Sequence, residues 1–407
     1  MGIDVTQLLD QLRYPSGTDF FPIVTQILMV VTWAIHMFFV NLVIGGMILS
    51  IYGYLKKELR WRRASQTLAN VAKISLSLAI VFGVAPLLFT QTIYDNLWYT
   101  ANNLSAFWVV LFVPVAIVAY YLLYFYYFRN KERSGKWVLF LGIPSVLLIL
   151  LAGAIMHILS YQQLFPDQWV KWYTNNGTTM NTDGWHVYAF NIPRYLLFIL
   201  LSFFVTGIYM MLYAWYFRQR QDKDQGELAW FKEVGRKAAL FFGGFLILDV
   251  ILYNALQGSL LNPIIWVIVA FLLLSWFLLM LLGKSPHDGA VPTLITFAFL
   301  SVLAVGVMRE AIRMFELRKF QYSVYNYPLR LDLFGPSFFF ATLLVGIAVF
   351  VFVLYMLYQA GKKEGHYDAH QNQTIVSLWK FSFYALVMWL IVFWGTGAIV
   401  VANINHF

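Results

Sequence analysis

Three side chains of the types that ligate iron stand inside apolar stretches of this 407-residue chain. They are His36 in Trp33-Ala34-Ile35-His36-Met37-Phe38-Phe39-Val40-Asn41, His157 after Met156, and Glu310 after Met308-Arg309. An ionisable group within an apolar span is costly to hold and counts as a functional candidate by default. A lone histidine also has a simpler use, bonded to a backbone carbonyl of a neighbouring helix, and His36 alone does not decide between them. Arg194, Arg309 and Arg313 recur beside these groups. Guanidinium groups pair bidentately with carboxylates in poorly hydrated places, which suits the carboxylate edge of a porphyrin. Their competing use is snorkelling to an interface. Asp249, in Leu246-Ile247-Leu248-Asp249-Val250, is a lone carboxylate that serves either a proton relay or substrate site or a structural hydrogen bond.

The elements that must position these residues follow from composition. With 61% hydrophobic and 12% charged residues, the chain fits an all-α polytopic membrane helix bundle and no soluble class. Spans of about 20 apolar residues are expected at 21–55, 71–94, 104–128, 137–160, 190–217, 234–258, 262–283, 290–312, 335–359 and 375–402. Loops 56–63, 129–136, 218–237, 284 and 362–363 carry eighteen Lys and Arg, while the opposite side carries eight. By the positive-inside rule the basic loops face the cytoplasm and both termini lie outside. The net charge of +9 is therefore topology, not nucleic-acid binding. Residues 1–20 read as an outer-surface segment with a short amphipathic helix over 5–14, and 21–407 as one ten-helix heme-binding domain. Met1-Gly2 formally fits a myristoylation pattern, set aside because this end reads as outside. Cysteine is absent, which excludes a covalently attached c-type heme, an iron–sulfur cluster or a disulfide.

Counting depth from the cytoplasmic charges groups the candidates. About 20 residues from Lys56 reaches His36, a like count from Lys136 reaches Met156-His157, and one from Gly289 reaches Met308-Arg309-Glu310. His36, His157 and Glu310 are thus expected at one level near the outer edge, with His186 in the 161–189 loop just above. Three potential ligands at one depth suit heme axial ligation inside a bundle, with Met308 and His186 close to the cofactor. His287, His366, His370 and His406 read as solvated. The aromatic outer loops 161–189 and 313–334 suit docking of a partner.

Two stretches resemble a known family. His36-Met37-Phe38-Phe39-Val40-Asn41-Leu42-Val43-Ile44-Gly45 is similar to the first helix of cytochrome bd-type oxidase subunit I, and Glu310-Ala311-Ile312-Arg313 after Gly306 resembles that family's Glu-x-x-Arg signature. The resemblance implies that His36 and Glu310 ligate two hemes, non-covalent and of b or d type, with Arg313 supporting the second. The chain departs from the family in four places. Leu104 to Phe128 holds no Asp or Glu, and Pro193-Arg194-Tyr195-Leu196-Leu197-Phe198 holds no His. The long quinol-binding loop is replaced by a few residues after Gln257, and His157 has no counterpart.

The expectation is a heme-binding subunit of a membrane electron-transfer complex. It exchanges electrons with a quinol or a periplasmic c-type cytochrome alongside other membrane subunits, and electron transfer is favoured over oxygen reduction because the third span holds no carboxylate to deliver protons or ligate iron. The rival is a proton-coupled secondary transporter or channel using His36, Asp249 and Glu310. The absence of an inverted repeat or of paired Gly/Pro-broken helices counts against it.

Overall fold

Every backbone N–H and C=O must find its partner within the chain once water is excluded, and a continuous apolar run meets that demand by coiling into a helix. The computed structural model describes residues 4–56, 58–285 and 287–404. Met1, Gly2 and His406 fall outside them. The described residues form thirteen α-helices and no strand: α1 Val5–Gln11, α2 Pro22–Leu55, α3 Leu59–Ile93, α4 Asp95–Leu104, α5 Ala106–Arg129, α6 Leu139–Gln162, α7 Trp169–Tyr173, α8 Ile192–Phe217, α9 Gln225–Gln257, α10 Pro263–Leu282, α11 Ala290–Leu317, α12 Phe334–Gly361 and α13 Gln373–Ile404. Ten of these are long and apolar enough to cross a bilayer. The chain is an all-α polytopic membrane protein whose surroundings are lipid.

Span boundaries differ from the sequence expectation where charge meets helix. α3 begins at Leu59 and α9 at Gln225, inside stretches expected to be loop. Arg, Lys and Glu are good helix formers, so these helices continue beyond the hydrocarbon as charged turns. α4 was read as part of a link; its N-terminal Asp95 complements the helix dipole, and Leu97, Trp98, Ala101 and Leu104 bury one face.

The chain divides into two compact units. The larger comprises residues up to Trp215 and Ala229–Leu329. In it α2 lies along α3 for most of its length and also meets α6 and α11, while α5 packs on α6 and α10 on α11. Close approach of α8 and α9 depends on Gly207 and Gly235: a Cβ on Gly207 would lie 2.5 Å from the Gly235 carbonyl oxygen and 2.8 Å from the Ala239 nitrogen. On α2, Ser50 donates to the Ser65 carbonyl at 2.7 Å and lies 3.0 Å from the Tyr126 hydroxyl, a buried polar lock between α2, α3 and α5. The smaller unit pairs α12 with α13, Phe338 meeting Trp389 at 4.5 Å between ring centres and Ser382 donating to the Ala348 carbonyl. Within it Tyr216 and Arg220 donate to the carbonyls of Tyr358 and Gly361.

Candidate functional site

His36 projects from α2 toward α3, where its Nδ1 lies 2.8 Å from the Ala79 carbonyl oxygen. A carbonyl only accepts, so Nδ1 carries the proton and Nε2 keeps its lone pair. That is the tautomer in which a ligating histidine is oriented by a backbone partner. Gly83, one turn further along α3, clears the space: a Cβ there would sit 2.9 Å from Nδ1 and Cε1 of the ring. No described residue bonds Nε2.

Around it stands an excess of donors. Arg309 on α11 holds its guanidinium 5.1 Å from the centre of the Trp33 ring, with no hydrogen bond or ion pair to any described residue. Arg194, buried in the first turn of α8, donates to the His157 carbonyl at 3.4 Å and to Ser160 Oγ at 3.0 Å, and lies over Tyr161 at 5.3 Å. None of these acceptors is an anion. His157 is 3% exposed, and its Nε2 accepts from the Asn191 backbone N–H at 3.2 Å. Nδ1 therefore holds the proton, and this buried donor has no acceptor among the described residues. The groups share one electrostatic neighbourhood: Arg309 interacts with Arg194, Arg313, Glu310, His36 and His157. Of the two carboxylates nearby, Glu310 is paired with Arg313 at 3.2 Å and Glu316 with Lys319 at 2.5 Å, so neither is hydrogen-bonded to Arg194 or Arg309. An ionisable group within an apolar span is costly unless something shares its charge, and Arg194 and Arg309 have no ion pair among the described residues.

Glu310 is committed to protein partners. Its Oε1 accepts from Gln26 Nε2 at 2.7 Å and from the Tyr94 hydroxyl, and its Oε2 lies 3.2 Å from Arg313 Nη1. Arg313 also stacks over the Tyr94 ring at 4.3 Å, and Tyr325 donates to Gln26 Oε1 at 2.5 Å. Burial, followed by the Glu310 carboxylate, holds the Tyr94 phenol well above its ordinary pKa.

The expected common level of three ligands is corrected by these contacts. Glu310 meets Gln26, ten residues from His36 and so about 15 Å nearer the start of α2. The pairs Gln26–Glu310, Trp33–Gly306 and Phe38–Phe299 set α2 antiparallel to α11, with His36 about two turns deeper than Arg309. Among the described residues no three His, Asp or Glu side chains gather into a metal site. Depth counted from the first charge fails because snorkelling residues mark the edge of the hydrocarbon only to within a turn or two, and because depth says nothing of which way a helix face points.

Other candidates also part from the group. Met308 is buried with Sδ 3.4 Å from Asn254 Nδ2, so its thioether is already an acceptor. His186 is exposed, held by Asn181 at 2.9 Å and Asp183 at 3.3 Å and stacked on Tyr188. It stands in the loop between α7 and α8, apart from His36 within α2. Asp249 is buried in α9, its Oδ2 without a partner among the described residues. Sequence reasoning passed over Gln26, Tyr94 and Asn191. Gln26 was signalled by being an amide in an apolar helix. Asn191 acts through its backbone, which no residue type announces.

Compared with known proteins, the chain matches no protein-family model and no curated sequence.

Proposed function

We propose that this chain is a heme-binding subunit of a cytochrome bd-like respiratory electron-transfer complex in a bacterial inner membrane, its N-terminus periplasmic. The observation that carries the reading is the donor excess beside a histidine with a free Nε2. Among the described residues Arg309 has no acceptor, Arg194 has only neutral ones and His157 Nδ1–H has none, and His36 lies about two turns away along the helices. A porphyrin bears its carboxylates on one edge, away from the iron, and this separation of cationic donors from an imidazole suits it.

His36 would hold the iron through Nε2, and Arg194 and Arg309 would hold the carboxylates. His157, its Nε2 already used, would donate from Nδ1 rather than ligate. The heme is non-covalent, of b or d type, in a chain without cysteine. When bound, it supplies reversible one-electron transfer. The protein's own residues orient the imidazole, neutralise the carboxylates and keep water away. Electron exchange is with a quinol or a c-type cytochrome, in company with other membrane subunits.

The absorption spectrum of the purified protein tests this. A Soret band that shifts on adding dithionite is expected; a colourless, monodisperse preparation contradicts it. Such a preparation would favour the second reading, a proton-coupled transporter or channel, for which the unpartnered Asp249 Oδ2 is the motivating observation. His36 and Glu310 belong to that reading as well, yet both are bonded to partners other than Asp249.

A further inference from the structure

Where α3 meets α5 in the larger unit, a lysine stands at the membrane margin with no anion beside it. Counting about 20 residues back from Ile93, the end of α3, reaches Lys73, the edge of the hydrocarbon. Its partner on α5 gives the same level: Tyr127 lies just before Arg129, the last residue of that helix. Lys73 is half-buried, with Nζ 3.8 Å from the centre of the Tyr127 ring. It makes no hydrogen bond or ion pair to any described residue, so its three N–H donors stay open.

One turn further along α3, Ser77 shares the face of Lys73. Its Oγ lies 3.1 Å from the Tyr124 hydroxyl and 3.4 Å from the Tyr120 hydroxyl, and those two rings stack at 4.5 Å. Three hydroxyl protons serve two contacts, so at least one O–H is left to donate elsewhere. Beyond this polar turn the same two faces become apolar. Val81, Val84 and Leu88 follow Ser77 at helical spacing, and Ile117, Val113 and Val110 follow Tyr120, each more than half exposed. Ser77 to Leu88 covers about 16 Å, close to half of the hydrocarbon thickness of about 30 Å.

We propose that the groove between α3 and α5 binds one anionic phospholipid. Its phosphate sits on Lys73, its glycerol ester oxygens accept from the hydroxyls around Ser77, and an acyl chain lies along the apolar stripe. Cation, hydroxyl donors and apolar stripe follow one another in the order in which such a lipid carries phosphate, esters and chain. An ammonium at the hydrocarbon edge gains most from a charged oxygen, and basic residues beside a span are the usual readers of anionic headgroups. The surrounding charge selects an anionic headgroup over a zwitterionic one. Residues 129–136, which follow α5, hold four Arg and Lys with one Glu, and that Glu132 is paired with Arg63 at 3.0 Å. A headgroup amine would meet like charge there, whereas a lone phosphate would not.

Native mass spectrometry of the delipidated full-length protein, titrated with dioleoyl phosphatidylglycerol or dioleoyl phosphatidylcholine, reads occupancy and affinity directly. The wild type is expected to take one phosphatidylglycerol about tenfold more tightly than phosphatidylcholine. Lys73→Met keeps the apolar stem and should abolish that preference, while Lys73→Arg should keep it. Ser77→Ala combined with Tyr124→Phe should weaken both lipids together. Should that double variant not fold, the two Lys73 variants decide alone, because Lys73 has no hydrogen bond or ion pair for the fold to lose. Glycerol phosphate in excess, which carries the phosphate without the chains, should leave the lipid in place. Equal affinity of wild type and Lys73→Met for phosphatidylglycerol overturns the proposal. Displacement by glycerol phosphate overturns it in favour of a soluble phosphate, and loss of a co-purifying subunit in Lys73→Met overturns it in favour of a protein partner.

Discussion

A guanidinium inside an apolar span is costly unless something shares its charge, and Arg309 makes no such bond to any described residue. Replacing it therefore has opposite signs in two states. In heme-depleted protein, Arg309→Met should leave the melting temperature unchanged or raise it. In loaded protein it should weaken heme retention by about 3 kcal/mol, the usual cost of breaking a buried charge pair. Titration with hemin checks this, and a variant that binds like the wild type contradicts it. Tyr322 gives a pH test at the same scale. Its folded pKa, pushed up to about 12 mainly by burial, exceeds the unfolded value of about 10. The stabilisation is thus whole below pH ~10 and is lost as pH rises toward ~12, amounting to about 3 kcal/mol. Melting in detergent should fall more steeply over that window for the wild type than for Tyr322→Phe; parallel curves count against it. Residue types alone revealed Arg194, Arg309 and His36 as unusual. They did not reveal that Ala79 fixes the His36 tautomer or that Asn191 occupies His157, because those partners are backbone atoms on distant segments.

At the scale of elements, the spans were legible because a bilayer imposes length and hydropathy, whereas which faces meet was not. Helix faces meet where glycine allows close approach, and Gly207 against Gly235 is the tightest such case between α8 and α9. Gly207→Val places branched carbon where the Gly235 carbonyl stands. It should lower the melting temperature by several degrees and reduce the yield of monodisperse protein. Gly207→Val melting with the wild type would show that α8 and α9 do not pack as described. α4 was missed for a physical reason: ten residues with only one apolar face cannot register as a span. Yet α4 and the turn before it supply Asp95 and Tyr94, which tie Glu310 and the α1 segment into the same polar layer.

Across the whole molecule, composition decides the class and leaves chemistry to a few polar residues. Eight spans belong to the larger unit, which holds every residue of the candidate site, while α12 and α13 form the smaller one. The central claim is that His36 presents Nε2 to iron. The most direct measurement is the ratio of heme to polypeptide, by pyridine hemochrome assay, in purified wild type and in His36→Ala. At least one heme per chain is expected in the wild type and the loss of one in the variant, with the fold retained by circular dichroism. A wild type without heme, or a variant that keeps the full complement, contradicts it.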